Sequence, residues 1–325
     1  MWKKAAQGAI IGLLVWLFAA DGAAKAGHYR APRTSAGKPD LSGLWTSDSL
    51  TELERPPAFK ALVVTDAEAS TYEKNRRTEF ASTAVDDAGG RATNAAWWKM
   101  AIRLARIDGK VRTSWLVDPT DGRLPYTSEG KVAKARQSAA LNDSSNPETR
   151  AASERCLLAG WAAAGPPMLN APYSNLYQIV QTRDDVAISM EANHDVRIVR
   201  LKDAHHVPTY IRPWMGDSVG RWEGESLVVE TTNFNAGDAS KPPSGLYISM
   251  DAKVTERFTR IARDRLLYEF AVEDPKTFAK TWRAEMLFEL TNGPMYEYAC
   301  HEGNYSLPGI LAGARYEETK AKDYK

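Results

Sequence analysis

The feature that most constrains this chain is a series of short β-branched and aromatic runs, separated by tight polar turns, that fills its second half. Leu176–Gln181, Val186–Met190, Val196–Arg200, Ser226–Thr232, Lys253–Arg260, Leu266–Val272 and Trp282–Leu290 each fit a strand, in which successive side chains point to opposite faces. Glu223-Gly224-Glu225 and Arg263-Asp264 sit between neighbouring runs and read as hairpin turns. With Leu41–Trp45, which also reads as a strand, these make eight or more and predict a mainly β fold, an antiparallel barrel or sandwich.

The first half adds helices and loops to that frame. Thr65-Asp-Ala-Glu68 fits a capping box, in which the threonine oxygen and the glutamate satisfy free amides at a helix start, so a helix is expected to about Phe80. A second helix is expected from Ser128 to Leu141, and a short one around Glu154-Arg155-Cys156. Asp86–Gly90 reads as a loop, followed by Trp97-Trp98, and Asp108-Gly109 is a strong hairpin signal. Pro119 and Gly122 bracket a further turn. No repeat or sharp shift in composition divides the chain, which predicts one β-rich domain over 27–325 with helical insertions around 65–80 and 128–141.

The N-terminus speaks for export. Lys3 and Lys4 precede an apolar run from Ala9 to Ala20, and Ala24-Lys25-Ala26 offers the small residues that a signal peptidase reads. That run is shorter than the roughly 20 residues a membrane span needs. A cleaved leader over 1–26, a periplasmic or secreted mature chain and no stable membrane anchor are the expectations. In an oxidising compartment two cysteines, Cys156 and Cys300, most simply form one disulfide. A net charge of +1 gives no global field that favours nucleic acid.

The chemistry-bearing residues cluster in two stretches, His194–Phe234 and Tyr296–Arg315, which are expected to meet in space. The first holds three of the five histidines. With a partner from the second stretch, His194 suits general acid–base work, its alternative being a structural histidine at a turn. His301 or Glu302 would be that partner, and Tyr298 or Arg197 would stabilise developing negative charge. Trp214, Trp222 and Tyr305, with Asn304, would line the ligand site, and Asp217 is a further carboxylate candidate. A metal site from His194, His301 and Asp217 or Glu302 is the weaker alternative, because no His-Glu-x-x-His helix is present. His205-His206, in a proline-bounded polar loop, reads as exposed. No nucleophile elbow or phosphate-cradling loop appears, so neither a serine hydrolase nor an organic cofactor is expected. Ten tryptophans and thirteen tyrosines fit either pocket walls or a β-sheet core.

Pro39-Asp-Leu-Ser-Gly-Leu-Trp45, Trp214-Met-Gly-Asp-Ser-x-Gly-Arg-Trp-Glu-Gly224, Leu227-Val-Val-Glu-Thr-Thr-Asn-Phe234 and Tyr296-Glu-Tyr-Ala-Cys-His-Glu-Gly-Asn-Tyr305 form longer motifs. With these motifs the chain resembles a family of exported, functionally uncharacterised proteins of proteobacteria and acidobacteria. The resemblance implies export and a shared fold but carries no activity. Gly43-Leu44-Trp45 and the antiparallel pattern are also similar to lipocalin-like barrels. Together these readings predict a cofactor-independent acid–base enzyme, of lyase, dehydratase or isomerase type, acting on a small apolar or aromatic molecule. The alternative is a non-catalytic carrier of a small lipophilic ligand.

Overall fold

The computed structural model describes residues 29–83, 101–159, 165–171, 174–202, 205–236, 240–241 and 245–323. The expected leader at 1–26, the Asp86–Gly90 loop and Trp97-Trp98 lie outside the described residues. In chain order the strands are β1 (Gly43–Thr46), β2 (Val63–Val64), β3 (Arg106–Ile107), β4 (Lys110–Arg112), β5 (Leu116–Asp118), β6 (Leu176–Gln181), β7 (Asp185–Met190) and β8 (Val196–Arg200). They continue with β9 (Asp217–Glu223), β10 (Ser226–Thr232), β11 (Ser240–Lys241), β12 (Leu246–Tyr247), β13 (Lys253–Ala262), β14 (Arg265–Glu273) and β15 (Trp282–Leu290). The α-helices are α1 (Asp66–Thr83), α2 (Ser128–Ala140) and α3 (Ser306–Asp323). None of them is long and apolar enough to cross a membrane.

Nine strands close into a barrel in the order β1, β6, β7, β8, β9, β10, β13, β14, β15, with β15 returning to β1. The expected mainly β barrel is therefore what forms, with one departure. The β8–β9 pair is parallel, whereas every other barrel pairing is antiparallel. Parallel neighbours cannot be joined by a hairpin, and of the connection that replaces one, residues 205–216 form an arm on the outside of the barrel. Gly220 makes this pairing fit, because a Cβ there would lie 2.6 Å from Val199 Cγ1 and 2.9 Å from Leu201 Cδ2. Short β5 pairs with the start of β15, along the edge that β1 covers near its end.

Alternation along the strands decides what faces the lumen. Trp45, Tyr177, Phe258, Tyr268, Phe270 and Phe288 point inward, and all are buried. Tyr268 lies 4.9 Å from Phe258 and 5.5 Å from Phe288 between ring centroids. A barrel of this strand number is just wide enough for side chains to fill it, and these rings occupy its interior. These aromatic residues serve the core.

An ionic network crosses this apolar interior. Arg197 of β8 donates from Nη1 to Glu256 Oε2 at 2.6 Å and from Nη2 to Oε1 at 3.0 Å. Tyr268 OH donates to Glu256 Oε1 at 2.8 Å, and it accepts the Met168 N–H at 3.0 Å. Burial opposes the charge on Arg197, yet Glu256 more than offsets it and holds the guanidinium pKa above its usual value. Burial and the neighbouring Glu256 carboxylate push the Tyr268 phenol well up, so it stays a donor.

Outside the barrel the local signals hold. Thr65 and Glu68 make the reciprocal capping bonds that start α1, with Thr65 N–H to Glu68 Oε2 at 2.8 Å and Glu68 N–H to Thr65 Oγ1 at 3.3 Å. Asp108 and Gly109, at φ 51° and 73°, turn β3 into β4, and α1 packs Ala69 against Leu104 and Val111. Thr127 caps α2 by accepting the Gly130 N–H at 2.9 Å. Two expectations are corrected. Residues 152–158 form consecutive turns rather than a helix, and α3 has no counterpart among the expected helices.

Removing one partner of a buried ion pair strands the other as an uncompensated charge. Glu256→Gln should therefore lower the unfolding free energy by about 3–5 kcal/mol in urea denaturation, and the double substitution Arg197→Met/Glu256→Leu should cost less. A single-variant loss below about 1 kcal/mol would show that the network does not anchor the barrel.

Candidate functional site

The two dense stretches do meet, at one end of the barrel, around the Cys156–Cys300 disulfide. After β15 the chain runs back past the turn between β7 and β8. Buried Glu191 accepts the Tyr296 N–H at 3.0 Å, and His194 Nε2 accepts the Tyr298 N–H at 3.0 Å. Asn304 donates from Nδ2 to the Glu154 carbonyl at 3.1 Å, next to the disulfide. Trp214 packs on Leu158, Ala159 and Ala192, and Asp195 accepts the Ala159 N–H at 2.7 Å. His194, Tyr298, Trp214, Asn304 and both cysteines thus share one region.

The geometry there ties segments together. Asn193 and His194 sit consecutively in the left-handed region, at φ 57° and 54°, a conformation that L residues adopt at some cost. The backbone bond from Tyr298 uses the Nε2 lone pair of His194, so the imidazole proton resides on Nδ1. In this arrangement His194 is a structural histidine that staples a turn to a distant segment. His301, Glu302 and Tyr305 are exposed, the last at 84 %. None of the three side chains hydrogen-bonds to His194 among the described residues.

The other expected site residues lie elsewhere. Arg197 is committed to Glu256 inside the barrel and does not reach the His194 region. Trp222 packs its half-buried ring against the core near the β9–β10 turn. Asp217, on the outer face at the start of β9, has only 8 % of its surface exposed. Its carboxylate accepts from Arg200 Nη2 at 2.8 and 2.9 Å and from the Val207 N–H at 3.0 Å, and it lies 2.9 Å from His206 Nδ1. His206 is therefore half-buried and engaged, which corrects the exposed reading. Its Nε2 lies 3.4 Å from Glu230 Oε1, within ion-pair range but not aligned for a hydrogen bond. This cluster bolts the 205–216 arm to the barrel. Burial raises the Asp217 pKa, but the bonds from His206, Val207 and Arg200 outweigh it and hold the carboxyl below its usual range. Among the described residues no group of three or more His, Cys, Asp or Glu is placed to hold a metal ion.

A cleft of about 410 Å³ opens where the chain leaves β1 and wraps the barrel end. Its apolar walls include Leu50, Leu53, Pro56, Pro57 and Leu169, and its charged lining is Glu52, Glu54, Arg55, Arg76 and Arg123. The volume falls within the range of small-molecule sites. Glu54 accepts the Leu124 N–H at 2.8 Å. Glu52 is different: among the described residues its carboxyl has no hydrogen bond. It remains open to solvent through the mouth of the cleft, yet the surrounding walls raise its pKa by burial, against a smaller lowering by Arg76. Glu269 is also pushed up, by burial and then by Glu285 across the strand pair, but it lines no cavity among those described. The sequence gives no signal for Glu52, because a lone glutamate in Thr-Glu-Leu-Glu carries no motif.

No protein-family model, curated protein or solved structure matches this chain.

The Asp217 bolt predicts a pH signature. A carboxylate whose folded pKa is depressed stabilises above its unfolded value, near 3.9, and loses that contribution as pH falls through the folded value. Asp217→Asn should be less stable than wild type at neutral pH in urea titrations, with a gap that closes below about pH 4. A gap that stayed constant from neutral pH to pH 3 would show that the charge is not what holds the arm.

Proposed function

We propose that this chain is an exported enzyme that moves a proton on a small molecule held in the Glu52 cleft, in a periplasmic or extracellular setting. The observation that carries this reading is a cleft carboxyl with an upward-shifted pKa and no hydrogen bond among the described residues. A raised carboxyl pKa brings the acid form closer to neutral pH, which favours general acid–base work. In its acid form Glu52 donates a proton to a substrate atom. The carboxylate left behind takes a proton from an adjacent position or from water, while Arg76 stabilises its charge. This single-group shuttle suits a lyase, dehydratase or isomerase. The apolar walls accept the hydrocarbon part of such a substrate. The absence of dinucleotide and phosphate-loop motifs supports chemistry without an organic cofactor. The disulfide and the basic-then-apolar leader pattern support export.

A second reading, a carrier without turnover, is favoured by one feature. Glu54 is tied to the Leu124 N–H, so among the described residues the cleft offers one carboxyl without a hydrogen bond, and binding alone needs none.

Solvent exchange separates the two even while the product is unidentified. Small carboxylic acids, ketones and alcohols that bind by ligand-observed NMR would be incubated with the protein in deuterated water. Wild type should introduce deuterium at an acidic carbon of a bound compound, and Glu52→Gln should slow this by a factor of roughly 10² or more while still binding. Binding without deuterium incorporation by wild type would sink the enzymatic reading and leave the carrier.

A further inference from the structure

The charges around the cleft are unevenly paired. Arg76 has its own partner, Glu79, at 2.7 Å. Arg55 does not: it is only 6 % exposed, and its guanidinium donates to the backbone carbonyls of Lys60, Thr120 and Asp121. Its Nε has no hydrogen-bond partner, and the turn at Gly122 packs so tightly on the side chain that a Cβ there would lie 2.8 Å from Arg55 Cβ. Carbonyl dipoles solvate this cation but do not cancel its charge. Arg123, on the same wall, is exposed, and among the described residues neither Arg55 nor Arg123 has a carboxylate partner. Of the two cleft carboxyls, Glu54 is turned to a backbone amide. A buried guanidinium is normally compensated by a counter-ion.

We propose that the cleft binds the anionic group of its ligand, a carboxylate or a phosphate, through Arg123, with Arg55 as a buried positive charge in the supporting wall. A planar guanidinium with two parallel donors matches either anion, and its contact is directional as well as ionic. Leu50, Leu53 and Leu169 then face the apolar remainder, which makes the ligand a small amphipathic acid. This inference rests on the cleft being the functional site, and it stands whether or not Glu52 transfers a proton.

The test uses the mature, disulfide-bonded protein and three probes in calorimetric titration: benzoate, inorganic phosphate and the neutral benzamide. Benzoate or phosphate should bind saturably and benzamide should not, the stronger anion identifying which source the site suits. Arg123→Met, which keeps the apolar stem, should weaken the anion about tenfold or more, and Arg123→Lys should restore part of the loss. Glu52→Gln should leave anion binding in place. Failure of both anions to bind wild type up to roughly 10 mM, or binding unchanged in Arg123→Met, would overturn the inference. Deuterium incorporation that depends on Glu52, alongside anion binding that ignores Arg123, would sink the anion subsite alone. Anion binding lost in Arg123→Met with no deuterium incorporation in wild type would sink proton transfer alone.

Discussion

Everything in this barrel is arranged around one charge pair placed where water cannot help it. Arg197 and Glu256 sit on strands that are not neighbours, β8 and β13, so their bond spans the interior. An interior lined by Trp45, Tyr177, Phe258 and Phe288 offers neither charge water, and Tyr268 OH is the neutral donor that joins the pair at Glu256. Shifting either strand by one residue would turn one charge out to solvent and leave the other alone in the core, which is far costlier than losing an apolar contact. The pair therefore fixes which face of each strand looks inward.

That constraint explains an oddity of β8. Val196 and Ile198 are each 49 % exposed, while Arg197 between them is buried. Hydrophobicity alone would have turned the strand the other way. Pairing with β7 places Arg197 opposite Ile188 and Val199 opposite Val186, both inward-facing partners, and Glu256 receives the guanidinium. The segments outside the barrel are held by separate devices: the disulfide and the His194–Tyr298 bond on the returning C-terminal segment, and Asp217 on the 205–216 arm. These polar fasteners hold irregular backbone in place and free the cleft, at the exit of β1, to carry unpaired charge.

Much of the fold is legible in the sequence because its signals are local. Asp108-Gly109 specifies its turn by backbone preference, Thr65 and Glu68 cap a helix within four residues, and β15 runs over the segment that its alternation marks out. The cysteine pairing follows from there being only two. What stays hidden depends on partners distant in sequence. Arg197 reads as a site residue that would stabilise negative charge because Glu256, 59 residues away, is invisible from its neighbourhood. The position of Glu256 between Val254 and Phe258, on the inward parity, is the one available hint. His206 reads as exposed because the path that brings it back to Asp217, 11 residues further on, is set by a parallel strand pair that no hairpin signal announces. Glu52 escapes notice for a related reason: its properties come from surrounding walls, and walls are assembled by the fold.

Strand β1 is only four residues long, yet it is paired along both edges and closes the barrel between β6 and β15. It pairs with β15 through only Trp45 and Thr46, whereas β14 meets β15 along eight positions. The closure of the barrel therefore rests on a short strand. Glu52 follows six residues after the end of that strand, on the same stretch of backbone. The strand that shuts the barrel and the carboxyl of the cleft thus belong to one stretch of backbone, so the closure of the cylinder also sets where Glu52 sits.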